Sequence, residues 1–213
     1  MDARASNAVE GDLDGRVLDA ALALVEQSGV ARTSLSDIAR AAGCSRATLY
    51  RLFPGGKGHL FDALGRRELH RFLGRVAEAV SQEVDAESAL TVALTTSAAA
   101  TRDHAALQRV LVHEPGLLLP YLGFKQVDRL YQAVTAAGAP HLVRFVGAAR
   151  ASWAAEWVAR LLVSFVFNPD AGIDLSIDAD ARRLVRAFLL PALAPAAARP
   201  EADSRPLVSP RSQ

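Results

Sequence analysis

An all-α fold is predicted by the spacing of apolar residues along the chain. These residues recur at steps of three and four from the first segment to the last, which is the period of amphipathic helices. No run alternates apolar and polar residues at the period of two that a half-buried strand requires. With 51% hydrophobic residues among 213, the chain can bury a sizeable core. We expect about nine helices, arranged as a small three-helix domain followed by a larger helical domain.

Capping signals and turn residues divide this pattern into segments. Ser34 and Asp37 have the Ser-x-x-acid spacing that begins a helix. Breaks in the pattern are predicted at Gly29, Gly43, Pro54, Pro115, residues 138–140 and residues 168–172, where glycine or proline interrupts an apolar run. The predicted helices cover residues 12–28, 34–42, 45–52, 57–80, 86–102, 104–113, 118–137, 142–167 and 177–191.

The first three predicted helices have the order of a helix-turn-helix unit. An amphipathic helix precedes two short helices that are joined by a tight turn at Gly43, and the second short helix of such a unit can lie in the major groove of DNA. Leu49 and Phe53, four residues apart, form the inward stripe of this helix. The positions that we expect at the DNA are Ser45, Arg46, Ala47, Thr48, Tyr50 and Arg51.

The charge distribution of this segment also favours nucleic acid. Residues 30–60 contain five basic side chains against Asp37 alone, a balance of +4, whereas the whole chain has a net charge of +1. Arg46 can form a bidentate pair with guanine, and the small side chain of Ala47 allows a close approach to the base edges. Hydroxyls at the helix start, and Lys57 at the start of the next helix, suit phosphate groups.

The sequence TSLSDIARAAGCSRATLYRLF over residues 33–53, followed by Lys57, resembles the signature of the TetR/AcrR family of transcriptional regulators. The chain departs from the family pattern at Cys44, where Val is frequent, and at Leu52, where His is frequent. The resemblance implies a repressor that binds a palindromic operator as a homodimer. It implies base contacts from Arg46 and Ala47, and phosphate contacts from Thr33, Thr48, Tyr50 and Lys57.

Two C-terminal helices, predicted over residues 142–167 and 177–191, are apolar on more than one face. By resemblance to the family, these helices form a four-helix interface between two subunits. Packing within one subunit is the alternative interpretation of the same pattern. The residues expected at the dimer interface are Trp157, Leu161, Phe165, Leu184 and Phe188.

The helices between these two regions combine apolar side chains with a few threonines and histidines. Such a mixture is typical of an apolar pocket with a few polar anchors, although core packing explains each position separately. We expect a small hydrophobic effector, such as one with a long acyl chain, that releases the DNA. The candidate effector-binding residues are Phe72, Leu94, Thr95, Leu111, Phe124 and Trp153.

The expected organisation has four parts. A flexible tail over residues 1–11 precedes a helix-turn-helix DNA-binding domain over residues 12–57. A helical domain for effector binding and dimerisation covers residues 58–194, and a disordered tail covers residues 195–213. The alternative function is that of a helical interaction module that does not bind an operator.

Several other classes of protein are disfavoured by the sequence. We find no nucleophile with a matching base and orienting group, so no enzyme is predicted. The five histidines lack the spacing of metal ligands, and no metal or cofactor is expected. The single cysteine, Cys44, cannot form an intramolecular disulfide. No apolar stretch is long enough to cross a membrane and no signal peptide is recognisable, so we expect a cytoplasmic protein.

Overall fold

The structure is a computed structural model that describes residues 3–117, 124–167 and 172–193, with side chains for residues 13–117, 128–166 and 172–193. Within these ranges the chain forms helices and no strand, which confirms the all-α prediction. The elements are α1 (Ala3–Ser28), α2 (Leu35–Ala41), α3 (Arg46–Leu52), α4 (Gly56–Ser81), α5 (Ala86–Arg102), α6 (Ala105–His113), a 3-10 turn (Pro115–Leu117), α7 (Phe124–Val146), α8 (Ala148–Phe167), α9 (Asp178–Leu184), a π-helical segment (Val185–Leu189) and α10 (Leu190–Leu193).

Helix α7 differs from the prediction in where it ends. Residues 138–140 were expected to break the chain, but Pro140 lies inside α7, so that prediction is wrong. The break occurs at Gly147, whose φ of 78° belongs to the left-handed region that glycine adopts without a side-chain clash. A Cβ built on Gly138 would lie 3.5 Å from the Cβ of Ala155 on α8. Packing of α7 against α8 through small residues therefore offsets the hydrogen bond that Pro140 lacks.

Two further boundaries also differ from the sequence-based expectations. Helix α1 begins at Ala3, whereas residues 1–11 were expected to form a tail. No proline stands in this stretch to prevent the helix from extending toward the N-terminus. The first six residues of the helix predicted over 118–137, and the tail predicted over 195–213, lie outside the described residues.

The buried side chains form two separate clusters. The N-terminal cluster, from α1 to α4, contains Val17, Leu18, Ala21, Ile38, Ala39, Ala42, Leu49, Phe53, Leu60 and Leu64. The larger cluster is built from the end of α4, from α5, α7 and α8, and from the C-terminal helical segments. The domain boundary predicted after residue 57 falls within α4, and Leu60 and Leu64 beyond it still belong to the N-terminal cluster.

Helix α4 connects the two clusters directly. Leu60 and Leu64 near its start are buried in the N-terminal cluster, while Val80 near its end is buried in the larger one. Its 26 residues rise about 1.5 Å each, so the helix spans about 39 Å. A tilt of the C-terminal end of α4 must therefore move the N-terminal cluster.

The larger cluster yields a stability prediction at Leu94, which is fully buried. Leu94→Ala should lower the free energy of unfolding by about 2–5 kcal/mol, because the substitution leaves a cavity in a packed core. Val112→Ala, at a side chain of α6 that is 67% exposed, should change it by about 0.5 kcal/mol or less. Urea denaturation at equal protein concentration measures both values. Equal unfolding curves for the two variants would contradict the core position of Leu94.

Candidate nucleic-acid interface

Helix α3 is held at its start by a side-chain cap. Ser45 has an extended backbone (φ −77°, ψ 155°), and its hydroxyl oxygen accepts a hydrogen bond of 3.0 Å from the backbone N–H of Thr48. The two hydroxyls of Ser45 and Thr48 lie 2.8 Å apart and share a second hydrogen bond. This cap satisfies one of the amide groups that have no partner in the first turn of a helix.

The inward face of α3 is fixed by burial. Leu49 is fully buried in the N-terminal cluster, and Phe53, directly after the helix, is buried beside it. This agrees with the stripe predicted from their spacing of four. Because successive residues of a helix are rotated by about 100°, anchoring Leu49 turns Ala47, Tyr50 and Arg51 away from the core, whereas Leu52 packs against it.

The outward face of α3 carries most of the positions that we expected at the DNA. Arg46, Ala47, Tyr50 and Arg51 are exposed, and Tyr50 keeps 45% of its surface in solvent. Arg46 forms no ion pair or hydrogen bond with the described residues. The tyrosine ring lies 3.9 Å from the Cβ position of Gly56, the residue before Lys57. The start of α4 thus lies next to the exposed face of α3.

The single acid of residues 30–60 is held at the start of α2. Ser34 accepts a hydrogen bond of 3.1 Å from the backbone N–H of Asp37, and its hydroxyl donates to the Asp37 carboxylate at 2.5 Å. Arg40 pairs with the same carboxylate at 2.6 Å. The hydrogen bond from Ser34, followed by the charge of Arg40, lowers the pKa of Asp37 from its ordinary value. The predicted capping box therefore forms, and its negative charge lies on α2 and not on α3.

Lys57 and Thr33 occupy different environments near the α1–α2 turn. The Lys57 ammonium lies 3.4 Å from the carbonyl oxygen of Ala31 and 5.7 Å from the centre of the Phe61 ring. Thr33 is only 2% exposed, and its hydroxyl donates to the carbonyl oxygen of Gly29 at 2.7 Å. Lys57 therefore lies at the start of α4, next to the exposed face of α3, whereas the Thr33 hydroxyl points into the protein interior.

Comparison with known proteins identifies the family. The model of the family described as "Bacterial regulatory proteins, tetR family" matches residues 17–64. Two proteins of Mycobacterium tuberculosis, the uncharacterized HTH-type transcriptional regulators MT1294 (strain CDC 1551 / Oshkosh) and Rv1255c (strain ATCC 25618 / H37Rv), are each 33% identical to this chain over 186 residues. Each match covers 86% of both chains. The chain belongs to the TetR family.

Solved structures agree with this assignment. The TetR family repressor AlkX from Dietzia sp. strain DQ12-45-1b, implicated in biodegradation of n-alkanes, is 27% identical with a TM-score of 0.63, and the match covers 84% of this chain and 93% of AlkX. The fatty acid degradation regulator FadR from Bacillus halodurans, at 18% identity, shares the fold with a TM-score of 0.60 over 83% of this chain and 95% of its own. This TetR-family protein is a DNA-binding transcriptional regulator.

The candidate effector residues of the TetR-family regulator lie on several helices. Leu94 is buried in the larger cluster, Phe72 and Leu111 are half-buried, and Trp153 is partly exposed on α8. The Thr95 hydroxyl donates to a backbone carbonyl of its own helix at 3.3 Å. The side chain of Phe124 lies outside the described residues. None of these side chains lines the depression bounded by Ser28, Arg109 and Glu114, or the one bounded by Arg182, Arg183 and Arg186.

The candidate dimer residues divide into exposed and buried groups. Trp157 on α8 is 42% exposed and Phe188 in the π-helical segment is 62% exposed, whereas Leu184 is buried inside the subunit. Leu161 and Phe165 are partly buried and pack against the larger cluster. The exposed apolar surface of the described residues therefore includes Trp157 and Phe188, while Leu184 lies in the core.

Sequence reasoning missed a group of polar residues that links α1, α4 and α6. Arg67 on α4 pairs with Asp19 on α1 at 2.8 Å and with Glu68 at 3.1 Å. The Nε2 atom of His104, at the start of α6, lies 3.5 Å from the same Glu68 carboxylate. Asp19, the adjacent pair Arg67 and Glu68, and His104 are far apart in the sequence, and no local spacing indicates their association. In the described residues no three potential metal ligands converge, and no helix is long and apolar enough to cross a membrane.

The cap of α3 yields a prediction about its stability. Ser45→Ala should lower the free energy of unfolding by about 1 kcal/mol, because the amide of Thr48 loses its acceptor. Ser36→Ala is the matched control, since Ser36 is exposed on α2 and its side chain forms no hydrogen bond with the described residues. Thermal unfolding of both variants measures the difference. A loss of stability that is equally large for Ser36→Ala would contradict a specific cap at Ser45.

Proposed function

We propose that this regulator is a repressor that binds a palindromic operator as a homodimer and is released by a small hydrophobic effector. The observation that carries the proposal is the orientation of α3. Leu49 is buried in the N-terminal cluster while Arg46 and Ala47 are exposed in the first turn. The first residues of a recognition helix are those that contact base edges in helix-turn-helix proteins.

Base reading is assigned to Arg46 and Ala47. The Arg46 guanidinium is unpaired within the described residues, and it has the fork of donors that matches the O6 and N7 atoms of guanine. Ala47 places only a methyl group beside it, so the helix can approach the floor of the major groove. A longer side chain at position 47 would hold the backbone away from the bases.

Phosphate binding is assigned to residues around the base-reading positions. Ser45 and Thr48 provide hydroxyls at the start of α3, where helix amides favour an anion. Tyr50 and Arg51 lie on the exposed part of the same helix. Lys57 lies on the adjoining surface, at the start of α4. The inward hydroxyl of Thr33 supports α1 instead, so we leave Thr33 out of the proposed contacts.

Dimerisation is supported by the exposed aromatic side chains of α8 and the C-terminal segments. The rings of Trp153 and Trp157 lie 5.8 Å apart, and both indoles are more than one-third exposed, as is Phe188. Aromatic side chains are enriched at protein interfaces. A two-fold dimer would place two recognition helices on inverted half-sites, with centres about 34–36 Å apart or a multiple of that distance.

The effector is proposed to bind between the middle helices, where Phe72, Thr95 and Leu111 are half-buried on α4, α5 and α6. The relation to AlkX, a repressor implicated in biodegradation of n-alkanes, favours an apolar effector. Since α4 joins the two buried clusters, a ligand that moves it would change the separation of the recognition helices. Converting a 1:99 equilibrium to 99:1 takes about 5.5 kcal/mol of preference for one conformation.

Substitution of Arg46 and Lys57 tests the proposed contacts. Arg46→Ala should relax the preference at one base pair of each half-site by about 1–3 kcal/mol, because it removes a base contact. Lys57→Ala should weaken binding to all sequences alike and reduce the salt slope by about 0.9 for each phosphate that the lysine no longer neutralises. Fluorescence anisotropy with operator DNA, single-base variants and a salt series measures these effects. If Lys57→Ala altered base preference and Arg46→Ala did not, the assignment would be reversed.

A further inference from the structure

The Glu114 carboxylate, directly after α6, binds the turn that leads into the helix-turn-helix unit. One oxygen accepts a hydrogen bond of 2.7 Å from the backbone N–H of Val30, and the other accepts one of 2.9 Å from that of Ala31. Successive backbone amides that follow a left-handed residue form a concave anion-binding site, or nest. Here the left-handed residue is Gly29, with a φ of 84°. Glu114 therefore fills a nest at the end of α1.

The geometry of Gly29 shows that this approach is close. A Cβ at Gly29 would lie 2.8 Å from a carboxylate oxygen of Glu114, which is shorter than such contacts allow. Glycine is thus required both by the positive φ and by the space that Glu114 occupies. Arg32, Arg109 and His113 line the same depression of about 300 Å³, and the positive charge of the two arginines favours the anionic carboxylate.

Ala31 joins this carboxylate to the DNA-facing surface. Its N–H donates to Glu114, and its carbonyl oxygen accepts from the Lys57 ammonium at 3.4 Å. On the other side of the turn, the buried Thr33 hydroxyl donates to the Gly29 carbonyl. The turn is therefore held from inside by Thr33 and from α6 by Glu114, while Lys57 contacts it from the start of α4.

Helix α6 is attached to α4 at its start and to the α1–α2 turn at its end. At its start, the Nδ1 atom of His104 accepts from the Leu107 amide at 3.2 Å, while Nε2 lies 3.5 Å from Glu68 on α4. At its end, Glu114 binds the α1–α2 turn. A displacement of the C-terminal end of α6 must break or carry with it the two hydrogen bonds of Glu114.

We propose that Glu114 is a positioning residue for DNA binding, which couples α6 to Lys57 through the backbone of Ala31. With the nest filled, the turn holds the Ala31 carbonyl where it orients the Lys57 ammonium at the start of α4. When α6 moves, the carboxylate leaves the nest and Lys57 loses this support. The inference rests on the proposed function, because it takes Lys57 as a phosphate contact.

The first test measures the turn itself, without DNA. Glu114→Gln removes the charge and replaces one carboxylate oxygen with a donor group, so hydrogen exchange of the Val30 and Ala31 amides should accelerate about tenfold. Glu26→Gln is the matched control, because Glu26 is exposed on α1 and its carboxylate forms no hydrogen bond or ion pair with the described residues. Unchanged exchange at Val30 and Ala31 in Glu114→Gln would overturn the proposal.

The second test is a double-mutant cycle in operator binding. Glu114→Gln alone should weaken binding about fivefold for specific and random DNA alike, because it disturbs a phosphate contact. In a Lys57→Ala background the same substitution should have little further effect, whereas its effect should multiply with that of Arg46→Ala. If Glu114 had a merely structural role, the effect of Glu114→Gln on affinity would multiply with the effects of both Lys57→Ala and Arg46→Ala. Multiplication in both cycles would therefore overturn the coupling through Ala31.

Two further outcomes keep this test distinct from that of the proposed function. If the wild-type protein binds no operator, the proposed function fails, while the exchange measurement still decides whether Glu114 holds the turn. If Glu114→Gln folds poorly, Glu114→Asp supplies the second variant, since it keeps the charge but is one methylene shorter. Glu114→Asp should accelerate exchange at one or both amides. Exchange at the wild-type rate would contradict the proposal that binding both amides requires the full length of the Glu114 side chain.

Discussion

Burial of Leu49 and Phe53 is the constraint on which the proposed DNA-facing surface depends. Both side chains enter the N-terminal cluster, and they determine how a helix of only seven residues is rotated about its axis. A helix this short has little stability of its own, so its orientation derives from packing and from the Ser45 cap. Ala47 and Tyr50 face outward because Leu49 faces inward, and Arg46 is exposed in the first turn.

The N-terminal cluster contains only part of the buried core of the chain. What connects it to the rest of the molecule is α4, whose start lies in that cluster and whose end lies in the larger one. Polar contacts add to this connection, since Asp19 and Arg67 link α1 to α4 and His104 links α6 to Glu68. Glu114 attaches α6 a second time, at the turn itself. The helices beyond the N-terminal cluster are therefore attached to it at two places, along α4 and, through Glu114, at the α1–α2 turn.

The features that could be predicted from the sequence are those with local causes. The ends of α2 and α3 follow from the caps at Ser34 and Ser45 and from the turn at Gly43, which involve residues within a few positions of one another. The prediction at Pro140 was wrong because the packing of α7 on α8 depends on residues distant in sequence, such as Ala155. Glu114 was missed for a similar reason, since more than 80 residues separate it from the amides that it binds. Burial also separated candidates that the sequence could not distinguish, so that Leu184 is core and Phe188 is exposed.

Two copies of α3, each oriented by a buried Leu49, are proposed to lie on inverted half-sites of an operator. Hydroxyl-radical footprinting on DNA selected from a random library by the wild-type protein tests this arrangement most directly. We expect two protected regions related by two-fold symmetry, with centres about 10–10.5 base pairs apart or a multiple of that spacing. A single asymmetric footprint, or equal protection of unselected DNA at physiological salt, would contradict it.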